Sequence, residues 1–429
     1  MRYSQIDKQL FVKNREKFRQ YLKPNSLAVL NSNDIMPTSA DGHFAFQQHS
    51  DIFYLSGIDQ EESILVIFPD FVDGSHREIL FLRETNEEIA VWEGEKLSKE
   101  QAREVSGIQT IYWLQDFPRV WRELVFQAEN IYLNTNEHLR ASVDVETRDA
   151  RFLRWCMEKH PLHKYERLQP ILHRIRAVKS EEEIALIRHA CKITEQGFRR
   201  LLSFVKPNVW EYEIEAELIH EFVRSRSKGF AYTPIIASGA NACVLHYIEN
   251  NKQCKDGDLL LLDIAAEYAN YNSDLTRCIP VNGRFTPRQK AVYNAVLRVH
   301  DEAKKLLAVG NNWIDYHKEV GKIMESELIG LGLLKKHDVE KQNPAAPLYK
   351  KYFPHGTSHH LGLNVHDYGN KYHTFEAGMV FTCEPGIYIR EEGLGIRIEN
   401  DIVIRANGQE DLMATIPITV EEIEELMNA

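Results

Sequence analysis

The apolar and polar positions of this chain fall into two halves with different rhythms. In the first half, short apolar runs alternate with stretches of helical periodicity. Ile6–Tyr21 places Leu10, Phe11, Phe18 and Tyr21 on one side of an amphipathic helix. Strand-like runs follow at Ser26–Leu30, Ser63–Pro69, Glu78–Arg83, Thr110–Leu114 and Asn130–Leu133, with helical stretches between them. This alternation predicts an α/β domain ending near residue 170.

The second half opens with a helix start signal. Ser180 and Glu183 form a capping box ahead of Ile184, Leu186, Ile187 and Ala190. Pro207 precedes another helix, in which Ile214, Leu218 and Phe222 recur every four residues on a core-facing stripe. Two further segments follow, Tyr232–Gly239 and Asn241–Glu249, the second containing Leu245-His246-Tyr247. Thr286, Pro287 and Gln289 start a third helix reaching about Leu307. A fourth spans about Trp313 to Leu331, and from Tyr352 onward the chain is Gly-rich and strand-like. Helices around a largely antiparallel sheet make this an α+β half. The expected division is 1–172 and 173–429.

The stretch 259–280, LLLLDIAAEYANYNSDLTRCIP, carries the first candidate chemistry. It reads as two buried antiparallel strands, the second opening at Asp274, with Asp263 and Asp274 in one hairpin. Two acids in so apolar a setting would repel and resist ionisation, and a cation between them would remove both problems. Each Asp alone also has an ordinary reading, as a strand end or a turn residue.

Composition narrows the classes. The 429 residues are 43% hydrophobic and 27% charged, an ordinary globular balance with length for two domains. A net charge of −11 argues against nucleic acid, whose phosphates need a basic surface. The six cysteines show no C-x-x-C spacing, so neither a zinc knuckle nor a dithiol motif is indicated. Scattered cysteines suit a reducing cytoplasm, and neither a signal peptide nor a membrane-spanning run is expected.

Three clusters stand out in the last third. HGTSHHLGLNVHD holds His355, His359, His360 and His366, with glycines that argue against a helical H-E-x-x-H site. VFTCEPGIYI places Glu384 just before a Pro-Gly turn. GIRIENDIVI alternates as a strand, with Ile396 and Ile398 on one face and Arg397, Glu399 and Asp401 on the other. If that second face met water, Glu399 would be an unremarkable surface residue. Asp263, Asp274, Glu384 and Glu399 with one histidine exceed what a single zinc site uses, and suit two divalent ions. An oxygen-rich set leans toward manganese, cobalt or iron.

These segments resemble, in order and spacing, the ligand segments of the pita-bread metallopeptidases, the family of methionine aminopeptidase, prolidase and aminopeptidase P. The resemblance is closest to the aminopeptidase P group and extends to TSADGHFAFQQHSDIFYLSGI in the first half. It implies an N-terminal aminopeptidase P-type domain and a C-terminal pita-bread (creatinase/aminopeptidase) domain. It implies Asp263, Asp274, His359, Glu384 and Glu399 as ligands of two divalent ions, Mn2+ first, with Co2+, Fe2+ or Zn2+ as other candidates. His246, His355 and His366 match histidines lining the cleft, Arg397 and Tyr388 match supporting positions, and Asp41 matches a carboxylate near the substrate's amino end. Read from the residues alone, Asp41 is a turn residue. His360 stands where relatives carry an aromatic and Asn364 where many have Asp. The loops Gly369–Ala377 and Arg390–Gly395 look short. All these differences are expected at the rim.

The implied reaction is hydrolysis of the bond between an N-terminal residue and a following proline. Glu384 accepts the nucleophile's proton, and His366 and His246 stabilise the oxyanion. The expected pH optimum is near neutral or slightly above. The expected partners are peptides with penultimate proline, with no nucleic acid or membrane, in a cytoplasmic homodimer or homotetramer. Three alternatives stay open: a prolidase, a metal-free creatinase-like hydrolase, and a non-catalytic peptide-binding module of the same fold.

Overall fold

The computed structural model describes residues 2–138, 140 and 143–429. Contacts divide the chain into two compact units, Tyr3–Arg176 and Ala177–Ala429, with Arg2 counted in the second.

The first unit is an α/β domain built on a six-stranded mixed sheet. Its strand order is Thr110–Trp113, Glu78–Leu82, Ile64–Ile67, Ser26–Asn31, Asn130–Leu133, Lys164–Arg167. The two central strands are buried along their whole length, as their uninterrupted apolar runs require. Leu27, Val29, Val66, Phe81, Trp121 and Leu124 form the core on one face. The helix predicted at Ile6–Tyr21 is Lys8–Arg19, capped by Asp7. Gly57 ends the helix Ser50–Ser56 at φ 70°, and a Cβ there would lie 2.3 Å from the Phe11 ring, so glycine answers both turn and packing. In the same unit Arg176 Nη1 donates to Asp51 Oδ1 at 2.6 Å, and Asn134 Nδ2 donates to Asp51 Oδ2 at 3.1 Å. The ion pair is buried.

The second unit is the α+β half. Both predicted capping boxes form, Ser180/Glu183 on the helix Glu181–Phe204 and Thr286/Gln289 on Pro287–Leu306. Glu211–Arg224 and Trp313–Gly330 are the other long helices. A three-stranded antiparallel sheet runs Thr276–Pro280, Leu259–Asp263, Ile235–Ser238. A second runs Val380–Cys383, Asn400–Arg405, Gly408–Asp411, and a hairpin pairs Gly386–Ile389 with Leu394–Arg397.

Four local expectations change. The second strand of the 259–280 stretch begins at Thr276, because the short hairpin Glu267–Tyr268/Tyr271–Asn272 fills the connection and leaves Asp274 just ahead of the ladder. GIRIENDIVI is two strands, broken at Ile398 and Glu399, where Glu399 bridges to Thr276. The face holding Arg397, Glu399 and Asp401 does not meet water; all three residues are buried. Thr419 and Glu422 also cap a C-terminal helix, Val420–Met427, in a region read as strand-like.

Candidate metal centre

Asp263 closes the strand Leu259–Asp263, and its register partner is Thr276. Asp274 lies two residues before Thr276, just ahead of the ladder, where its N–H donates to Asp401 Oδ2. The bridge between Thr276 and Glu399 brings in the third segment, and Thr276 Oγ1 donates to Glu399 Oε2 at 2.6 Å. Glu384 follows the strand Val380–Cys383, and its N–H donates to the Thr357 carbonyl at 2.7 Å, tying it to the histidine-rich loop. The neighbouring Thr382 N–H donates to the His359 carbonyl at 3.0 Å. Four separate stretches are thus held together by backbone bonds, and their acids converge.

The convergence is close. His359 Nε2 lies 3.4 Å from Asp274 Oδ2 and 3.8 Å from Glu384 Oε1. Ligand atoms of Asp274, His359 and Glu399 all lie within 4.8 Å of one another. The Tyr232 hydroxyl is 2.5 Å from Asp263 Oδ1 and 2.6 Å from Asp274 Oδ1, linking the two aspartates. His359 Nδ1 is 3.0 Å from the His360 carbonyl, which can only accept, so Nδ1 carries a hydrogen and Nε2 is the nitrogen turned toward the acids.

Electrostatics show what the cluster lacks. Burial, then mutual repulsion among the acids, raises the carboxyl of Glu399 well above its ordinary range and that of Glu384 to about 7. Burial also raises Asp263, against the pull of Arg397. For His359, burial works downward, but Asp274 and Glu384 outweigh it and hold the imidazole above its usual value. Arg397 Nη2 donates to Asp263 Oδ2 at 2.5 Å, and this guanidinium cannot balance four carboxylates, two of them buried and two partly buried. Oxygen donors of like charge around one imidazole nitrogen fit divalent cations.

The remaining predicted residues take distinct places. Arg397 also donates from Nη1 to the Tyr388 hydroxyl (2.8 Å) and from Nε to Thr276 Oγ1 (3.0 Å). His355 Nδ1 lies 2.8 Å from the Gly356 carbonyl and Nε2 lies 2.8 Å from the Tyr388 hydroxyl. Both ring nitrogens are therefore engaged: Nδ1 donates, and Nε2 accepts from Tyr388. Burial, then the positive charge of Arg397, lowers this imidazole to about 3, consistent with a neutral ring. His366 is exposed and packs its ring on that of His359, with centroids 4.4 Å apart. His246 is exposed on the segment after Ser238, close enough to His355 to influence its charge. Asp41 belongs to the other unit, exposed in the turn between Pro37–Ser39 and Gly42–His43.

His360 is not at the rim. Its ring packs against Phe381 (4.3 Å) and stacks parallel to Trp313 (6.3 Å), and its Nδ1 is shut off from solvent. It fills an aromatic position with an aromatic ring. Sequence reasoning also passed over Tyr232, Thr276 and Asp401, whose Oδ2 accepts the Asp274 N–H at 3.0 Å. Thr276 was legible as the residue two beyond Asp274. Nothing in the sequence marks Tyr232.

Known proteins resemble this chain over nearly its whole length. Residues 185–406 match the family model "Metallopeptidase family M24", and residues 11–132 match "Aminopeptidase P, N-terminal domain". The chain is 34% identical to the Xaa-Pro aminopeptidase of Escherichia coli over 99% of each chain. It is 30% identical to human Xaa-Pro aminopeptidase 3 over 93% of this chain and 80% of that one. Among solved structures, Pseudomonas aeruginosa aminopeptidase PepP superposes with a TM-score of 0.89 at 31% identity, covering 99% of this chain and 98% of that one. Zn-substituted E. coli aminopeptidase P in complex with product gives 0.88 at 32%, covering 99% of each. The chain belongs to metallopeptidase family M24, with the two-domain, pita-bread architecture of its aminopeptidase P members.

Proposed function

We propose that this metal-dependent aminopeptidase hydrolyses the bond between an N-terminal residue and a penultimate proline. The observation that carries the reading is the convergence of Asp263, Asp274, Glu384 and Glu399 on the His359 side chain, with acids in excess of cations. These five side chains would hold two divalent ions, manganese by preference for an oxygen-rich donor set. Bound there, the ions supply Lewis-acid polarisation of the scissile carbonyl and lower the pKa of water at the site.

The chain's own groups do the rest. Glu384, whose carboxylate lies 3.8 Å from His359 Nε2, takes the proton of the attacking water and returns it to the departing proline nitrogen. His366 and His246 are the imidazoles exposed to the cleft, and they donate hydrogen bonds to the carbonyl oxygen as it gains charge. His355 acts differently, because both its nitrogens are used; it holds the Tyr388 hydroxyl, which in turn receives Arg397. Arg397 then fixes the orientation of Asp263. The free α-amino group of the substrate is drawn to the acidic end of the cleft, which limits cleavage to the first residue.

All six cysteines are reduced and buried, which supports a cytoplasmic setting, and a homodimer or homotetramer is the assembly we propose. Among the described residues no helix is long and apolar enough to cross a membrane.

The test is hydrolysis of Arg-Pro-Pro and Arg-Pro by metal-stripped protein, with and without manganese. Metal-dependent release of arginine from the tripeptide is expected. Cleavage of the dipeptide alone would make the chain a prolidase, and no cleavage of either at full metal loading would overturn the peptidase reading.

A further inference from the structure

We propose that Glu211 is a positioning residue for catalysis, a clamp whose buried carboxylate sets the segment that carries His246. The proposal rests on the reading of His246 given above.

Glu211 begins the helix Glu211–Arg224 and is fully buried, yet no cation pairs with it among the described residues. Four donors satisfy its carboxylate instead. Oε1 accepts the Ser238 N–H (2.8 Å) and Ser238 hydroxyl (2.6 Å), at the end of the strand Ile235–Ser238. Oε2 accepts the Tyr247 hydroxyl (2.7 Å) and the Lys252 N–H (2.9 Å), on either side of the segment that follows. One oxygen holds the strand and the other holds the loop. His246 is the residue immediately before the clamped Tyr247.

Other contacts leave this segment little freedom except through the clamp. Asn250, at φ 44°, accepts the Ile236 N–H at 3.0 Å and donates to the Pro234 carbonyl at 3.1 Å. At the other end, residues 239–243 lie so close to the strand Leu394–Arg397 that a Cβ on Gly395 would stand 2.2 Å from the Ala242 carbonyl oxygen. Cys243 and Leu245 face Tyr352, Pro354 and Tyr388 across a cavity of about 400 Å³. The segment therefore approaches the Tyr388–His355 pair from a fixed base, and His246 projects from its exposed part.

The chemistry of the clamp makes a specific demand. All four partners donate, so only a group with two accepting oxygens serves. In Glu211→Gln one oxygen becomes an NH2 group. Hydroxyls can rotate to accept from it, but a backbone N–H cannot. Whichever oxygen is replaced, the buried N–H of Ser238 or the partly buried N–H of Lys252 is left facing another donor. The strand is braced by its ladder to Leu259–Asp263, and Lys252 by its carbonyl, which accepts the Glu211 N–H at 2.9 Å, so the disturbance falls on the Tyr247 contact beside His246.

The experiment compares steady-state cleavage of Arg-Pro-Pro by the manganese-loaded full chain in four forms: unmodified, Glu211→Gln, His246→Ala and the double variant. Bound manganese and thermal midpoint are measured for each. We expect Glu211→Gln to lower kcat about tenfold with KM and metal content little changed, because orientation of a transition-state donor is lost. In the His246→Ala background the same change should cost less than twofold, since the group it positions is gone. Tyr247→Phe removes one of the four bonds and should give a smaller loss of the same kind, providing a folded variant if Glu211→Gln is poorly behaved. Equal losses in both backgrounds would overturn the clamp, as would loss of bound manganese in Glu211→Gln, which would place its effect on the Asp263 strand. An active unmodified enzyme with an unaffected His246→Ala variant would overturn both the clamp and the role of His246.

Discussion

Two buried acidic regions, one in each unit, show how the same side chain becomes structure or site. In the first unit Asp51 is sealed from water, with Arg176 at 2.6 Å and the Asn134 amide at 3.1 Å. Its charge is matched and its oxygens are occupied. In the second unit Asp274, Glu384 and Glu399 crowd around one imidazole, Asp263 joins Asp274 through the Tyr232 hydroxyl, and Arg397 pairs with Asp263. Two other buried acids of the second unit follow the Asp51 pattern: Asp367 has Lys179 at 3.1 Å, and Glu211 has four donors. Burial of acid is therefore common in this chain. Burial of acid beyond what the chain's own donors and cations satisfy marks the metal centre.

The comparison breaks most visibly at Glu384. Replacing it with Gln should reduce kcat/KM by about 10⁴-fold, since it removes both a ligand and the proton acceptor, while the fold persists; peptide cleavage and circular dichroism check this. Arg176→Ala should do the reverse. It leaves Asp51 buried and unpaired, costing about 3–5 kcal/mol in denaturant unfolding without changing metal content per folded chain. Thr276→Val sharpens the distinction within the site. Glu399 would lose its 2.6 Å hydrogen bond, and manganese affinity should fall by about ten- to a hundredfold by equilibrium dialysis.

The smallest effect is the pH dependence of the metal-free protein. Folding raises the Glu384 carboxyl from an ordinary value of 4.5 to about 7, so the native state binds more protons than the unfolded chain between these values. Stability from this group is present below 4.5 and is lost as pH rises through about 7. Metal-free protein should therefore become easier to unfold with urea across that window. Manganese should cancel the trend, because its binding displaces the protons.

Much of this was legible in the sequence, for identifiable reasons. The central strands of the first unit are buried on both faces and announce themselves as unbroken apolar runs. Ser180/Glu183 and Thr286/Gln289 could be read because capping is local, and Thr419/Glu422 carries the same signal although it was passed over. The ligands lay in short segments whose chemistry survives without coordinates. Contacts between distant segments were not legible. Strict alternation could not show that the strand breaks at Ile398, since the bridge from Glu399 to Thr276 is imposed by a partner over a hundred residues away. The Tyr232 hydroxyl and the engagement of both His355 nitrogens likewise depend on where other segments arrive.

The central claim, that the unmatched acids are a divalent metal site, is tested most directly by titrating manganese into the metal-stripped chain while following arginine release from Arg-Pro-Pro. The account predicts two saturable sites per chain, cleavage that rises with their occupancy, and loss of both in Glu399→Gln. Absence of saturable binding, or full cleavage by metal-free protein, would contradict it.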